Sequence, residues 1–261
     1  MQRKPTTLLP EQIPAAFHSF LEDAAVFDSS CSAAARVYFL DKDGGFYLKS
    51  APKGSLQKEA QLTDFFYQKG LSAEVLGYES LEKDWLLTRK IPGEDCIDPA
   101  YLAQPERLCD TIAHLLRQLH EMDTAGCPVA DRTAEYLATA RRNYANRAYD
   151  LNLFPDNWGY DTPDSAYAVL EEMGKYLKTD TLLHGDYCLP NILLKNWDFS
   201  GFIDLDTGGV GDRHVDLFWG MWSLQFNLKT DRYKDRFLDA YGRDVIEEEL
   251  FRVVAAAEVF G

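Results

Sequence analysis

The sequence predicts an α+β chain of two lobes, a small N-terminal antiparallel β-sheet lobe and a larger, mainly helical C-terminal lobe. Three observations predict it. A strand–turn–strand pattern occupies residues 36 to 50, helical periodicity takes over after the breaker Ile91-Pro92-Gly93, and short apolar runs interrupt the helices between 182 and 206. The expected division is residues 1–92 for the first lobe, with its sheet and one helix, and 93–261 for the second.

The elements follow in order. RVYFLDKDGGFYLKS, residues 36 to 50, carries aromatic and β-branched residues on either side of Asp43-Gly44-Gly45, the composition of a hairpin turn. Lys49 stands at the end of its second strand, and Tyr47 shares its face by alternation. QKEAQLTDFFYQK, residues 57 to 69, places Leu62, Phe65 and Phe66 at helical spacing with Glu59 in its first turn. AEVLGYES and DWLLTRKI read as further strands of the same sheet. Beyond the breaker, Leu108, Ile112, Leu115, Leu119 and Met122 mark the buried face of a helix from about Pro105 to Asp123. A more polar helix is expected over 133 to 150, a turn-rich loop at NLFPDNWGYDTPDSAY, and largely helical chain over 217 to 260.

Composition narrows the function classes. Forty-two acidic against 27 basic side chains give a formal charge of −15, which repels nucleic acid and anionic membrane and suits a cationic small molecule, although a solvated acidic surface has the same composition. The opening MQRKPTTLLPEQIPAAF lacks the apolar core of a signal peptide, and no run approaches the ~18 apolar residues of a membrane span. A cytoplasmic monomer is expected, without nucleic-acid or membrane partners. Five scattered cysteines without C-x-x-C spacing indicate reduced thiols rather than a disulfide frame or zinc site.

The chemistry concentrates in LLHGDYCLPNILLKNWDFSGFIDLDTGG, residues 182 to 209. Phosphoryl transfer needs a carboxylate beside the attacking hydroxyl and hard oxygen ligands for the Mg²⁺ that bridges the phosphates. Asp186 offers the first, and Asn191 and Asp204 the second. The Asp-x-x-x-x-Asn spacing matches the catalytic loop of protein kinases, with Gly185 in place of its arginine. Lys49 and Glu59 come in the order of the ion pair that positions the α- and β-phosphates. Taken singly, Lys49 reads equally as a solvent-facing strand lysine, Tyr47 as core, and His184 as a residue bracing its loop rather than a base.

These motifs, together with Pro92-Gly93, LLRQLHEMD, NWGYDTPD, SGFIDLDTGGVGDRHVDL and the terminal AEVFG, resemble the aminoglycoside phosphotransferase family, above all its 3′-phosphotransferases, with a protein-kinase-like fold. The resemblance implies adenine stacking on Tyr47, backbone contacts to adenine at Arg89 to Ile91, Lys49 on the phosphates, and metal binding by Asn191 and Asp204. It also implies a loop-bracing role for Asp216. With no glycine pattern in SSCSAAARVY, a phosphate contact there falls to Ser32 or to backbone amides. In the acceptor site, Glu258 and Phe260 stand where the family grips amines, with Ala257 in the place of a second acid. Asp156, Asp161 and Asp164 read as a cation-binding wall or simply as turn and N-cap residues. The implied activity is an ATP- or GTP-dependent, Mg²⁺-requiring transfer of the γ-phosphate to a hydroxyl of a kanamycin- or neomycin-type aminoglycoside. The alternatives are a kinase of choline, homoserine, a fructosamine or a similar amino alcohol, and a nucleotide-binding relative without turnover.

Overall fold

In the computed structural model the described residues are 3–31, 34–149 and 159–261. The chain divides into two compact units. The first contains residues up to Glu94 together with Leu193–Asp206, and the second contains Asp95–Ile192 and Thr207–Gly261.

The first unit is built on a six-stranded antiparallel sheet: β1 (Lys4–Pro5), β2 (Ala25–Asp28), β3 (Arg36–Asp41), β4 (Phe46–Pro52), β5 (Val75–Ser80) and β6 (Lys83–Arg89), in the order β1-β2-β3-β4-β6-β5. The β3–β4 turn needs its glycines. Gly44 and Gly45 have φ of +91° and +102°, and a side chain on Gly45 would strike the Phe39 ring. Alternation then sorts the sheet into two faces. Leu40, Phe46, Leu48, Trp85 and Leu87 point one way and pack with Leu8, Ile13, Phe17 and Leu21 from the segment that includes helix α1 (His18–Leu21). Lys49 points the other way, paired across the strands with Val37 and Leu86. On that side α2 (Gln57–Gln68) contributes Ala60 to a small cluster with Ala51, Leu56 and Leu86. The Asp84 carboxylate, fully buried, accepts from the Leu56 amide at 3.0 Å just before α2 and from the Ser80 hydroxyl at 2.7 Å. β4 extends three residues beyond Lys49.

Strand β7 (Glu94–Asp95) lies where the chain passes into the second unit. That unit contains α3 (Pro99–Leu102), α4 (Pro105–His120), α5 (Arg132–Asn146), α6 (Pro163–Met173), strand β8 (Thr181–Leu183), and the start of β9 (Ile192–Lys195). β9 and the adjacent β10 (Asp198–Phe202) lead into the segment that is compact with the first unit, whereas the sequence reading took all of 93–261 as one lobe. There Phe202 donates its amide to the Leu71 carbonyl at 2.7 Å, and the Ser72 hydroxyl bonds the Phe202 carbonyl at 3.0 Å. The chain then returns through β11 (Gly209–Gly211), antiparallel to β8, to α7 (His214–Leu228), α8 (Lys234–Tyr241) and α9 (Leu250–Glu258).

α4 stops at His120 rather than Asp123, and its phase corrects the sequence reading: Leu116 is fully buried and Leu115 only half-buried, because the covered stripe runs Leu108, Ile112, Leu116, Leu119. α5 spans 132–146 rather than 133–150, with Asp131 as N-cap accepting from the Ala134 amide at 2.9 Å. Among the described residues no helix is long and apolar enough to cross a membrane.

Candidate active site

In the sheet unit one lysine gathers two carboxylates. The ammonium of Lys49 donates to both oxygens of Glu59, at 2.9 and 2.8 Å, and to Oδ1 of Asp204 at 3.0 Å, which matches its three protons. Burial alone would push the Lys49 ammonium down, but the Glu59 and Asp204 charges outweigh it and hold the group charged well above its ordinary value. Burial raises the Glu59 carboxyl, and Lys49 opposes that shift. Asp204 sits at φ +62°, a left-handed conformation that aspartate adopts more readily than most side-chain-bearing residues.

Tyr47, on the same face, packs against Phe39 with ring centroids 5.3 Å apart, and its hydroxyl accepts from the Arg3 guanidinium at 2.9 Å. Arg3 itself lies 3.6 Å above the Phe39 ring. Sequence reasoning missed this residue, since a two-residue Lys-Pro edge strand has no period to detect. Arg89 is otherwise engaged. Its side chain donates to Glu74 at 2.7 Å, its amide bonds the Glu74 carbonyl and the Lys90 amide bonds the Gly45 carbonyl. Within the Arg89 to Ile91 stretch expected to give backbone contacts to adenine, the amides of Arg89 and Lys90 are therefore already bonded, and the Ile91 side chain is buried against Gly201. Ser32 lies outside the described residues.

In the helical unit the loop from His184 to Asn191 is pinned from below. Gly185 has φ +89°, and a β-carbon on it would stand 2.0 Å from the Thr207 carbonyl oxygen, so only glycine fits. The fully buried Asp216 accepts the His184 amide on one oxygen and the Gly185 amide on the other, each at 2.7 Å. His120 Nε2 donates to the same carboxylate at 3.1 Å, and the Tyr241 hydroxyl donates to His120 Nδ1 at 2.8 Å. Burial pushes the His120 imidazole below its ordinary value against the pull of Asp216, which keeps it neutral and fits that tautomer. Above this brace the Asn191 amide nitrogen donates to Asp186 Oδ2 at 2.8 Å and to the Asp186 carbonyl at 3.0 Å. Asp186 Oδ2 is thus oriented by Asn191.

Glu258, at the end of α9, is buried and accepts from the Tyr136 hydroxyl at 2.7 Å and the Trp219 indole at 3.1 Å. Burial, reinforced by the charge of Asp186, pushes its carboxyl up to about 7, against the donation from Tyr136 and Trp219 and the charge of Arg132.

The profile of the phosphotransferase enzyme family matches residues 29–253. The chain belongs to that family, the aminoglycoside phosphotransferases, and is a phosphotransferase. It is 48% identical over 252 residues, 96% of each chain, to a probable aminoglycoside 3′-phosphotransferase of Lactococcus lactis subsp. lactis (strain IL1403). It is 32% identical over 178 residues, 68% of this chain and 67% of the other, to an aminoglycoside 3′-phosphotransferase of Niallia circulans. The crystal structure of an aminoglycoside-3′-phosphotransferase of type VIII superposes with a TM-score of 0.76 at 25% identity, covering 95% of this chain and 98% of that one. The protein-kinase-like architecture expected from the sequence is therefore the fold of this family member.

Membership supports the use of a nucleotide and a metal. By type, the two donors expected from the sequence each suit Mg²⁺, which takes hard oxygens and is commonly held by one or two protein groups plus substrate phosphates. Asn191 offers an amide oxygen and Asp204 a carboxylate, and among the described residues there is no cluster of three or more His, Cys, Asp or Glu that would suit a fully protein-ligated ion. On the acceptor side the expectation for Phe260 needs correcting. Its ring is fully buried, with Tyr144, Tyr149 and Tyr167 set edge-on at centroid distances of 5.5 to 6.2 Å, and offers no face to a ligand. Asp156 lies outside the described residues. Asp164 sits in the first turn of α6 and accepts from the Tyr144 hydroxyl at 2.9 Å, a helix-end role.

Proposed function

We propose that this phosphotransferase moves the γ-phosphate of ATP or GTP, with Mg²⁺, onto a hydroxyl of a kanamycin- or neomycin-type aminoglycoside, at the 3′ position. The observation that carries the acceptor class is the near full-length likeness to the Lactococcus lactis protein named as a probable aminoglycoside 3′-phosphotransferase.

The residues divide the work. Lys49, its charge secured by Glu59, binds the α- and β-phosphates of the nucleotide, and Tyr47 offers its ring to the base. Asp186 receives the proton of the attacking hydroxyl. The Asn191 amide, donating to Oδ2, holds the carboxylate in place for that role. Asn191 and Asp204 would hold the metal, which would supply neutralisation of the charge on the transferring phosphate. Glu258, once ionised, pairs with an ammonium group of the acceptor.

One observation favours a second reading. Where the family resemblance leads one to expect two acids, Ala257 is buried and Glu258 is a single carboxylate whose burial keeps it half-protonated near neutrality, so the acceptor site has less negative charge than a polycation calls for. A small amino alcohol with one ammonium group would match it.

The test is an ADP-release assay with Mg²⁺·ATP or Mg²⁺·GTP against kanamycin, neomycin, streptomycin, choline, homoserine and a macrolide. Turnover on kanamycin or neomycin, with ³¹P–¹H correlation placing the phosphate on the 3′ oxygen, supports the first reading. Turnover on choline or homoserine alone replaces it with the second.

A further inference from the structure

Arg132 is the first residue of α5, directly after its N-cap Asp131, where a cation opposes the helix dipole. Helix formation therefore gives no reason for an arginine here, yet its side chain is largely buried, at 16% exposure. The guanidinium reaches in two directions. Its Nε donates to the Thr207 carbonyl at 2.7 Å, and that oxygen is the atom against which Gly185 is packed so closely that no β-carbon fits. The Thr207 hydroxyl is buried with no hydrogen-bond partner among the described residues, so the carbonyl, not the side chain, makes the connection. In the other direction the guanidinium carbon lies 6.0 Å from the ring of Tyr136, whose hydroxyl donates to Glu258 at 2.7 Å. Glu135 lies a looser 3.6 Å away and is half exposed.

We propose that Arg132 is a positioning residue of the phosphotransfer site, a single guanidinium that seats the Gly185–Asp186 turn through Thr207 and sustains the negative charge of Glu258 toward a cationic acceptor. The proposal rests on the function given above for Asp186 and Glu258. The groups that face Glu258 are Tyr136 and Arg132 of α5, the Trp219 indole of α7 and the Asp186 carboxylate, while α6 brings Tyr167 onto the neighbouring Phe260. Arg132 is the cation among them. Without it, only the Tyr136 and Trp219 donations oppose burial and the Asp186 charge at Glu258, and the carbonyl behind Gly185 loses its donor.

The experiment compares Arg132→Met and Arg132→Lys in the full-length chain. ¹³C-carboxyl NMR follows the Glu258 titration in the free protein, and kcat and acceptor KM are measured across pH. Arg132→Met is expected to move the Glu258 titration up by about one pH unit, a tenfold change in its acid dissociation constant. It is also expected to lower kcat about 10- to 100-fold through the misplaced turn, with nucleotide KM unchanged. Arg132→Lys is expected to restore the titration while leaving part of the kcat loss. A merely structural role would lower the melting temperature without moving the titration, and an unchanged Glu258 titration in Arg132→Met overturns the proposal whatever kcat does. If Arg132→Met does not fold, Arg132→Lys decides: a wild-type titration with reduced kcat is expected, and wild-type kcat overturns the proposal. Because the titration needs no acceptor, silence of the wild-type enzyme on every aminoglycoside would sink the function reading and leave this test intact.

Discussion

The two units stabilise their chemical groups by opposite means. In the sheet unit, Lys49 holds Glu59 and Asp204 by charge, and the Asp204 side chain is half exposed, at 51%. In the helical unit, Asp216 is completely enclosed and holds the His184–Asn191 loop through two backbone amides and a neutral histidine. In the first arrangement the half-exposed Asp204 can exchange its partner at little cost, while the buried Glu59 depends on Lys49. The second cannot let go of its partners without leaving a buried charge unmet.

The sharpest way to break that comparison is at the reacting group. Asp186→Asn should reduce kcat about 100- to 10,000-fold, the range of a lost general base, while Mg²⁺·nucleotide affinity measured by calorimetry stays at the wild-type level. Near-wild-type turnover would remove Asp186 from its role.

Next comes the brace. Asp216→Asn trades an acceptor of three hydrogen bonds for an amide that brings a donor of its own to the same enclosed site, and should destabilise the protein by about 3–5 kcal/mol in urea denaturation. Lys49→Met should instead raise nucleotide KM with a smaller loss of stability. Equal losses in the two variants would show that the units are not held differently.

The pH response of the two units should also differ in sign. Donation from Leu56, Ser80, Gly54 and Tyr78 overcomes the burial of Asp84 and brings it down from an ordinary 3.8 to about 2, so its contribution is present above pH 4 and lost as pH falls from there through 2. Glu258 runs the other way. Its native carboxyl, raised from 4.5 to about 7, keeps a proton that the unfolded chain has released, so its contribution declines as pH rises from 4.5 to 7. Glu258→Gln should remove the second slope in thermal melts taken from pH 5 to 8, and Asp84→Asn the first in melts from pH 5 to 2. Over pH 6 to 8 the KM of a cationic acceptor should fall as Glu258 ionises and become flat in Glu258→Gln.

The smallest effect is at Arg3. Removing its contacts with Phe39 and the Tyr47 hydroxyl in Arg3→Ala should raise nucleotide KM about threefold, the scale of an exposed cation–π contact, without changing inhibition by tripolyphosphate, which has no base. A parallel loss for both ligands would place Arg3 on the phosphates instead.

What could be read in advance was whatever sequence spacing encodes locally. Lys49 and Glu59 are ten residues apart across one strand–helix step, and Asp186 and Asn191 five apart in one loop. In each case the chain between them is short enough that residue order dictates contact. The β3–β4 hairpin was legible for the same reason, because its glycines are the residues a left-handed turn requires. Leu115 was misassigned because apolar residues at both 115 and 116 leave the phase of a single helix ambiguous, and only packing against other elements chooses between them.

The sequence by itself determined the family and the β3–β4 hairpin, and it singled out candidate residues for phosphoryl transfer, because residue type and short spacing are properties of the chain alone. Tertiary structure decided the rest. It brought Asp204 to Lys49 from 155 positions away, enclosed Phe260 among three tyrosines, put Arg132 behind the Gly185–Asp186 turn, and raised the Glu258 carboxyl to about 7. Burial and long-range charge depend on which surfaces the folded chain covers, and no local pattern of residues carries that information.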